Sequence, residues 1–124
     1  MPRDALPARI TRFPRTAVPV FMNRVSPVLD TCTRLCILNP GAGGRIRRKT
    51  AAVRGKTLLE RAEEFRRHGV AVVVCGAVGS VLYNLLTERR VEIVCGIAGD
   101  IEEVIEAYIG GTLSRERFRM PGAS

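Results

Sequence analysis

The residues in this chain whose chemistry stands out are its four cysteines, Cys32, Cys36, Cys75 and Cys95. Two of them occur in a phrase spoken twice, Val73-Val74-Cys75-Gly76-Ala77-Val78-Gly79 and Ile93-Val94-Cys95-Gly96-Ile97-Ala98-Gly99. Thiolates are the usual protein ligands of iron–sulfur clusters and soft metals. Free cysteine is also among the most buried residue types, so core packing stands beside ligation for each of the four. Cys32 and Cys36 are four residues apart, which predicts one face for both in a helix or a strand. The glycine loops offer a softer chemistry. Gly76–Gly79 runs into Ser80 and Gly96–Gly99 into Asp100, and the N–H groups at a helix start attract anions. Asp100-Ile101-Glu102-Glu103 would repel phosphate from the second loop, leaving the first, with Arg24 expected beside it, as the anion site. Neither loop has the Gly-Lys-Ser/Thr of a P-loop.

Other catalytic chemistries are poorly supplied. Two-metal nucleases need several carboxylates converging on Mg²⁺, and the predicted strands that would present them carry almost none. Glu92 starts its strand, at the wrong end, and Asp100 reads as a helix cap. The single histidine, His68, falls in the last turn of a predicted helix, where it suits the dipole. No nucleophile elbow is present. The chain therefore reads as non-enzymatic.

Placing both Cys-Gly pairs on one rim requires parallel strands. A β-branched run, a loop, a short helix and a return run fit the twenty residues between Cys75 and Cys95. Ligands in open parallel sheets bind beyond the carboxyl ends of the strands. Strands are expected at Thr16–Met22, Thr31–Asn39, Arg45–Val53, Val70–Cys75 and Val91–Cys95, with Asn23–Asp30 a loop. The charged third strand reads as a solvent-exposed edge, and Pro19 is awkward in a central strand. The first helix spans Leu58–His68, with a Thr57/Glu60 capping box and Gly69 as C-cap. Leu58, Leu59, Ala62 and Phe65 are expected inward; Arg61, Glu64 and Arg67 are expected in water. Ser80 can cap the second helix, and Asp100 with Glu103 opens a third that Gly110-Gly111 ends. The order β-β-β-α-β-α-β-α, a meander followed by two right-handed crossovers, predicts a ribonuclease H-like α/β fold. It has a five-stranded mixed sheet, with the first strand beside the fourth and helices packed on the sheet.

With 124 residues and 46% hydrophobic content, one domain can bury its own core. No apolar run approaches the ~20 residues of a membrane helix. Cysteines without a secretory signal read as thiols of a cytoplasmic protein. Residues 1–15, rich in Pro and Arg, read as a disordered basic extension to a single domain over 16–122. The net charge of +8 is lopsided: residues 1–56 hold twelve Lys/Arg against two Asp, and the remainder eight against ten Asp/Glu. A basic half attracts anionic partners, so a binding module for nucleic acid or an acidic protein is the rival reading. No aromatic interleaves Arg45–Lys49, so the stacking platform of a single-strand binder is missing and nucleic acid is not expected.

Several segments together resemble a known family. Val18-Pro19-Val20 with Arg24-Val25-Ser26-Pro27-Val28-Leu29-Asp30-Thr31 is similar to its opening strand and "SPVFD" loop. Val74-Cys75-Gly76-Ala77-Val78 resembles its "ICGAIS" segment. Cys95-Gly96 and Gly99-Asp100-Ile101-Glu102-Glu103-Val104-Ile105-Glu106-Ala107-Tyr108 resemble its "CG…EVLxAY" helix, and Phe118-Arg119-Met120-Pro121-Gly122 its "FxMPGC" ending. This is the dinitrogenase iron–molybdenum cofactor biosynthesis family, the NifX/NafY-like domain also found at the end of NifB. The resemblance implies a ribonuclease H-like fold without nuclease activity. It also implies a carrier for an iron–sulfur or iron–molybdenum type cluster, or its precursor, in nitrogenase cofactor biosynthesis, with a cofactor-biosynthesis or nitrogenase protein as partner. Ala123 stands where relatives commonly end in Cys, and Val28-Leu29-Asp30 lacks a His seen in other members. Cysteine ligation is then expected at Cys75, Cys95 and Cys32. Asn23, Arg24, Gly76, Gly79, Ser80 and Gly96 are expected to hold the anionic periphery of the cluster.

Overall fold

The computed structural model describes residues 13–113 and 118–121. Its strands are β1 (Thr16–Phe21), β2 (Arg24–Val25), β3 (Arg34–Pro40), β4 (Ile46–Ala52), β5 (Val72–Val74) and β6 (Glu92–Val94). The helices are α1 (Leu58–Arg67), α2 (Ser80–Glu88) and α3 (Ile101–Gly110). The sheet order is β4-β3-β1-β5-β6, with β2 paired to the end of β1. β1 is antiparallel to β3 and parallel to β5, and β5 is parallel to β6. The mixed α/β plan and the central place of β1 match the sequence expectation. The sheet has six strands rather than five, because Arg24–Val25 folds back on β1 through a two-residue hairpin at Met22-Asn23. Met22 takes φ of 58° there.

Pro19 fits a central strand for a directional reason. Its carbonyl accepts from Ser26 N–H, so its ring nitrogen faces the same side, where the β5 pairing has already ended at Ala17↔Val73. The missing N–H orphans no ladder bond. The expected strand from Thr31 begins only at Arg34, since Leu29–Thr31 forms a 3-10 turn. Phe13–Arg15, expected in the extension, are packed on the domain. Phe13 stacks edge-on against Tyr108 at 5.6 Å, and the Arg15 carbonyl accepts from Ala71 and Val72 N–H. Residues 1–12 of that extension lie outside the described residues.

Two apolar layers follow from strand alternation. On one face Ala17, Leu35, Ile37 and Val73 meet Ala62 and Phe65 of α1 and Leu82 and Leu86 of α2. On the other, Val18, Leu38, Val72 and Val74 meet Ile101, Val104 and Ile105 of α3, with Phe118. The α1 capping box forms as expected: Thr57 Oγ1 accepts from Glu60 N–H, and the Glu60 carboxylate accepts from Thr57 N–H. Three expected orientations are corrected. Arg61 is half-buried and donates to the Cys32 carbonyl at 2.6 Å. Leu59 is 53% exposed. Glu64 turns inward to accept the Arg54 and Gly55 N–H groups, both at 2.8 Å, satisfying a bend that the apolar pattern alone does not register.

Candidate functional site

The carboxyl ends of β5 and β6 lie side by side. Beyond the Val74↔Val94 pair, Cys75 N–H donates to the Val94 carbonyl at 2.9 Å and Ile97 N–H to the Cys75 carbonyl at 3.0 Å. The repeated phrase therefore brings Cys75 and Cys95 to one rim, as expected, but into different surroundings. β5 is an inner strand, flanked by β1 and β6, whereas β6 is the sheet edge. Cys75 is fully buried in the cluster that holds Leu29, Cys32 and Leu82. Burial, and secondarily the neighbouring Cys95, Cys32 and Asp30, push its thiol up to about 12. Cys32 is also buried, and desolvation outweighs the Arg61 charge to raise it to about 11. Cys95 is exposed.

Cys32 and Cys36 do not share a face. Cys32 precedes β3, at the end of the 3-10 turn, and packs under α1 and α2. Cys36 lies inside β3 and points to the α3 side, where burial raises its thiol. Strand alternation governs only residues that are within the strand, so the four-residue spacing failed here.

The first glycine loop is closed by the chain itself. Ala77 N–H donates to the Pro27 carbonyl, Leu29 N–H to the Ala77 carbonyl, and Gly79 N–H to Asp30 Oδ1 at 2.8 Å. A Cβ on Gly76 would sit 2.7 Å from the Pro27 oxygen, and one on Gly79 would sit 2.8 Å from Asp30 Oδ2. These glycines allow two backbone segments to touch. The α2 N-terminus thus already faces a carboxylate. Asp30 occupies the place expected for an external anion, and Ser80, exposed, makes no cap bond.

Asn23 and Arg24 come to the second loop, not the first. Ile101 N–H donates to the Asn23 carbonyl at 2.8 Å, Val25 N–H to the Gly99 carbonyl at 3.0 Å, and Arg24 bridges to Asp100. A loop over Asn23–Asp30 lets Arg24 be expected beside the first glycine loop; the two-residue hairpin turns it to the second instead. Asp100 caps α3 through Glu102 and Glu103 N–H. Met120 joins the same rim: its N–H donates to the Gly96 carbonyl at 2.8 Å, and its Cε lies 2.9 Å from where a Gly76 Cβ would be. Met120 adds a soft thioether to the rim, and only its place in the closing segment pointed to it. Met22 and Phe21, 73% and 60% exposed, project from the hairpin. Beside them a cleft of about 340 Å³ runs between Phe21, Pro27, Val28 and Thr31, with Cys32 at its wall. A larger depression of about 500 Å³ follows α1, away from these sulfurs; its Glu63 and Glu64 are already held by Arg89 and by the Arg54 and Gly55 N–H groups.

Among the described residues, no three His, Cys, Asp or Glu side chains are arranged to hold a metal ion. The rim instead offers one accessible thiol, a nearby thioether, an arginine and a bent backbone in which Gly96 has φ of 80°. Such a donor set offers ligation by one accessible thiol, where a fully cysteine-ligated cluster takes several.

Fold and rim define a small mixed α/β domain with a sulfur-bearing edge at its strand ends. The family profile described as dinitrogenase iron-molybdenum cofactor matches residues 15–111. The chain belongs to that family. Among solved structures, PH0822 superposes with a TM-score of 0.73 at 21% identity, covering 82% of this chain and 94% of its own. The solution structure of a Thermotoga protein of the DUF35 family, named as a candidate NifB protein, gives 0.62 at 20% identity, covering 84% and 99%. The apo form of the orange protein from Desulfovibrio gigas gives 0.64 at 12% identity, covering 88% and 98%. At such identities these likenesses establish the fold. No curated protein sequence matches the chain significantly. None of the described helices is long and apolar enough to cross a membrane.

Proposed function

We propose that this protein is a non-enzymatic carrier for an iron–sulfur or iron–molybdenum type cluster, or its precursor, in metallocluster assembly. A cofactor-biosynthesis or nitrogenase protein would be the donor or acceptor of that cargo. The observation that carries the reading is the exposed Cys95 at the end of β6, next to Gly96, on a loop whose far end at Gly99–Ile101 bonds to the hairpin holding Asn23 and Arg24. Family membership supplies the cargo class. Strand order and the closing Phe118–Met120 segment support a ribonuclease H-like scaffold used for binding.

In this reading Cys95 binds iron as thiolate and Arg24 offsets the negative charge of the cluster. Gly96, Gly76, Gly79 and the exposed Ser80 form the rim around it. Cys75 and Cys32 are protonated at neutral pH and sit behind that rim. They are ligands only if the rim opens, because binding metal requires losing the proton.

The test is anaerobic reconstitution with iron and sulfide, read as iron per chain and visible absorbance. Cys95→Ala should lose most of the bound iron, while Cys75→Ala and Cys32→Ala should keep most of it. Wild-type iron content in Cys95→Ala would end the proposal.

A further inference from the structure

The open side of β4 carries what is needed to accept a strand from another molecule. Val53 N–H donates to the Thr33 carbonyl at 2.9 Å, and Gly41 N–H to the Arg45 carbonyl at 2.7 Å. Bonded and non-bonded pairs alternate along an antiparallel ladder. With the register Leu35↔Ala51, Ile37↔Lys49 and Asn39↔Arg47, the main-chain groups of Arg47, Lys49 and Ala51 turn toward β3. Those of Ile46, Arg48, Thr50 and Ala52 turn outward. β4 ends the strand order, and among the described residues it pairs with β3 alone.

The side chains along this edge select by charge. Arg47 and Lys49 project on the face shared with Ile37, both exposed and without an ion-pair partner among the described residues. Arg48 projects on the other face, where both of its terminal nitrogens grip Glu102, at 2.8 and 2.6 Å. That clamp holds the strand to α3 and leaves its outer edge open. Like charges set opposite each other destabilise a strand pair. A second β4 would set Arg47, Arg48 and Lys49 against themselves. The chain's own residues 1–12 carry three arginines and one aspartate, so they fit no better.

We propose that the β4 edge docks an extended acidic segment of a partner protein as an added strand, with acidic side chains at alternate positions over Arg47 and Lys49. Main-chain bonds would supply the grip and charge the selection. RNA suits the site less well, because the exposed aromatics Phe21 and Tyr83 lie on the hairpin and on α2.

A labelled nine-residue peptide of alternating glutamate and threonine, titrated by fluorescence anisotropy, tests this without any metallocluster, so it stands apart from the carrier reading. Saturable binding should shift the amide resonances of Arg48 and Thr50. The double variant Arg47→Glu, Lys49→Glu should bind at least tenfold more weakly. Two peptides N-methylated on alternate residues keep the protein unchanged: one set should lose at least tenfold and the other stay within twofold. Equal binding by both methylated sets would reduce the interaction to unspecific charge attraction and overturn the proposal. So would tighter binding of a nine-nucleotide RNA, or self-association through β4 in sedimentation.

Discussion

Cys75 and Cys95 occupy neighbouring positions on adjacent strands, and one strand's difference in place decides which sulfur meets solvent. A thiol reagent at neutral pH should therefore modify Cys95 first in the native protein. Mass spectrometry should find Cys32 and Cys75 modified only after unfolding, and Cys95→Ala should remove the fast phase. The buried thiols also set an alkaline limit. Cys32 and Cys75 are raised to about 11 and about 12 from an ordinary 9.0. Well below pH 9 both states keep the proton and stability is unaffected. Above it the unfolded chain ionises first, so folded stability falls as pH rises toward 11 and 12, by up to about 1.4 kcal/mol per thiol per pH unit. Urea midpoints measured from pH 8 to 11 should show this slope, and it should lessen in Cys75→Ala relative to that variant's own value at pH 8. Glu64 makes a different demand, since its carboxylate serves two main-chain donors. Glu64→Ala should cost about 1–3 kcal/mol in all, for two charge-assisted bonds to part-buried donors, while Glu64→Gln, which keeps one acceptor oxygen, should cost less by thermal denaturation.

At the scale of the element, each helix start is arranged differently, and only two arrangements are local. Thr57 with Glu60 and Asp100 with the α3 amides were legible because cap and helix are adjacent in sequence. The α2 start departs from the expected Ser80 cap, since Asp30, distant in sequence, supplies the oxygen. Asp100→Ala should destabilise by about 1 kcal/mol in chemical denaturation. Asp30→Ala should show a loss of similar size, together with faster amide exchange at Gly79, which a merely surface aspartate would not affect. β4 was read correctly as an edge strand because its charges lie within one run. Its outward hydrogen-bonding groups come instead from the register with β3.

For the whole molecule, the sheet separates two cores that share no helix. Phe65 lies in the α1/α2 core and Val104 in the α3 core. Phe65→Ala should cost about 3–5 kcal/mol. Combined with Val104→Ala, the losses should add within about 0.5 kcal/mol, because the two sites have no common neighbour. Coupling well beyond that in a double-mutant cycle would show that the sheet transmits strain between its faces. The same layering explains why the sulfurs diverge: an inner strand hides Cys75, the sheet edge exposes Cys95, and alternation within β3 sends Cys36 to the α3 face while Cys32, before the strand, packs on the other.

The amino-acid order alone determined the three helices and the five longer strands, the parallel placement of the two Cys-Gly phrases and the kinship of the chain, since runs, caps and repeats are local and survive as patterns. Only the tertiary structure decided that Arg24 stands at the second loop, that Asp30 fills the anion place at α2, and that of the three expected ligands Cys32, Cys75 and Cys95 only the last is exposed. Those outcomes depend on which strand lies under a helix and which lies at an edge. That is a matter of contacts between distant residues, which spacing along the chain does not encode.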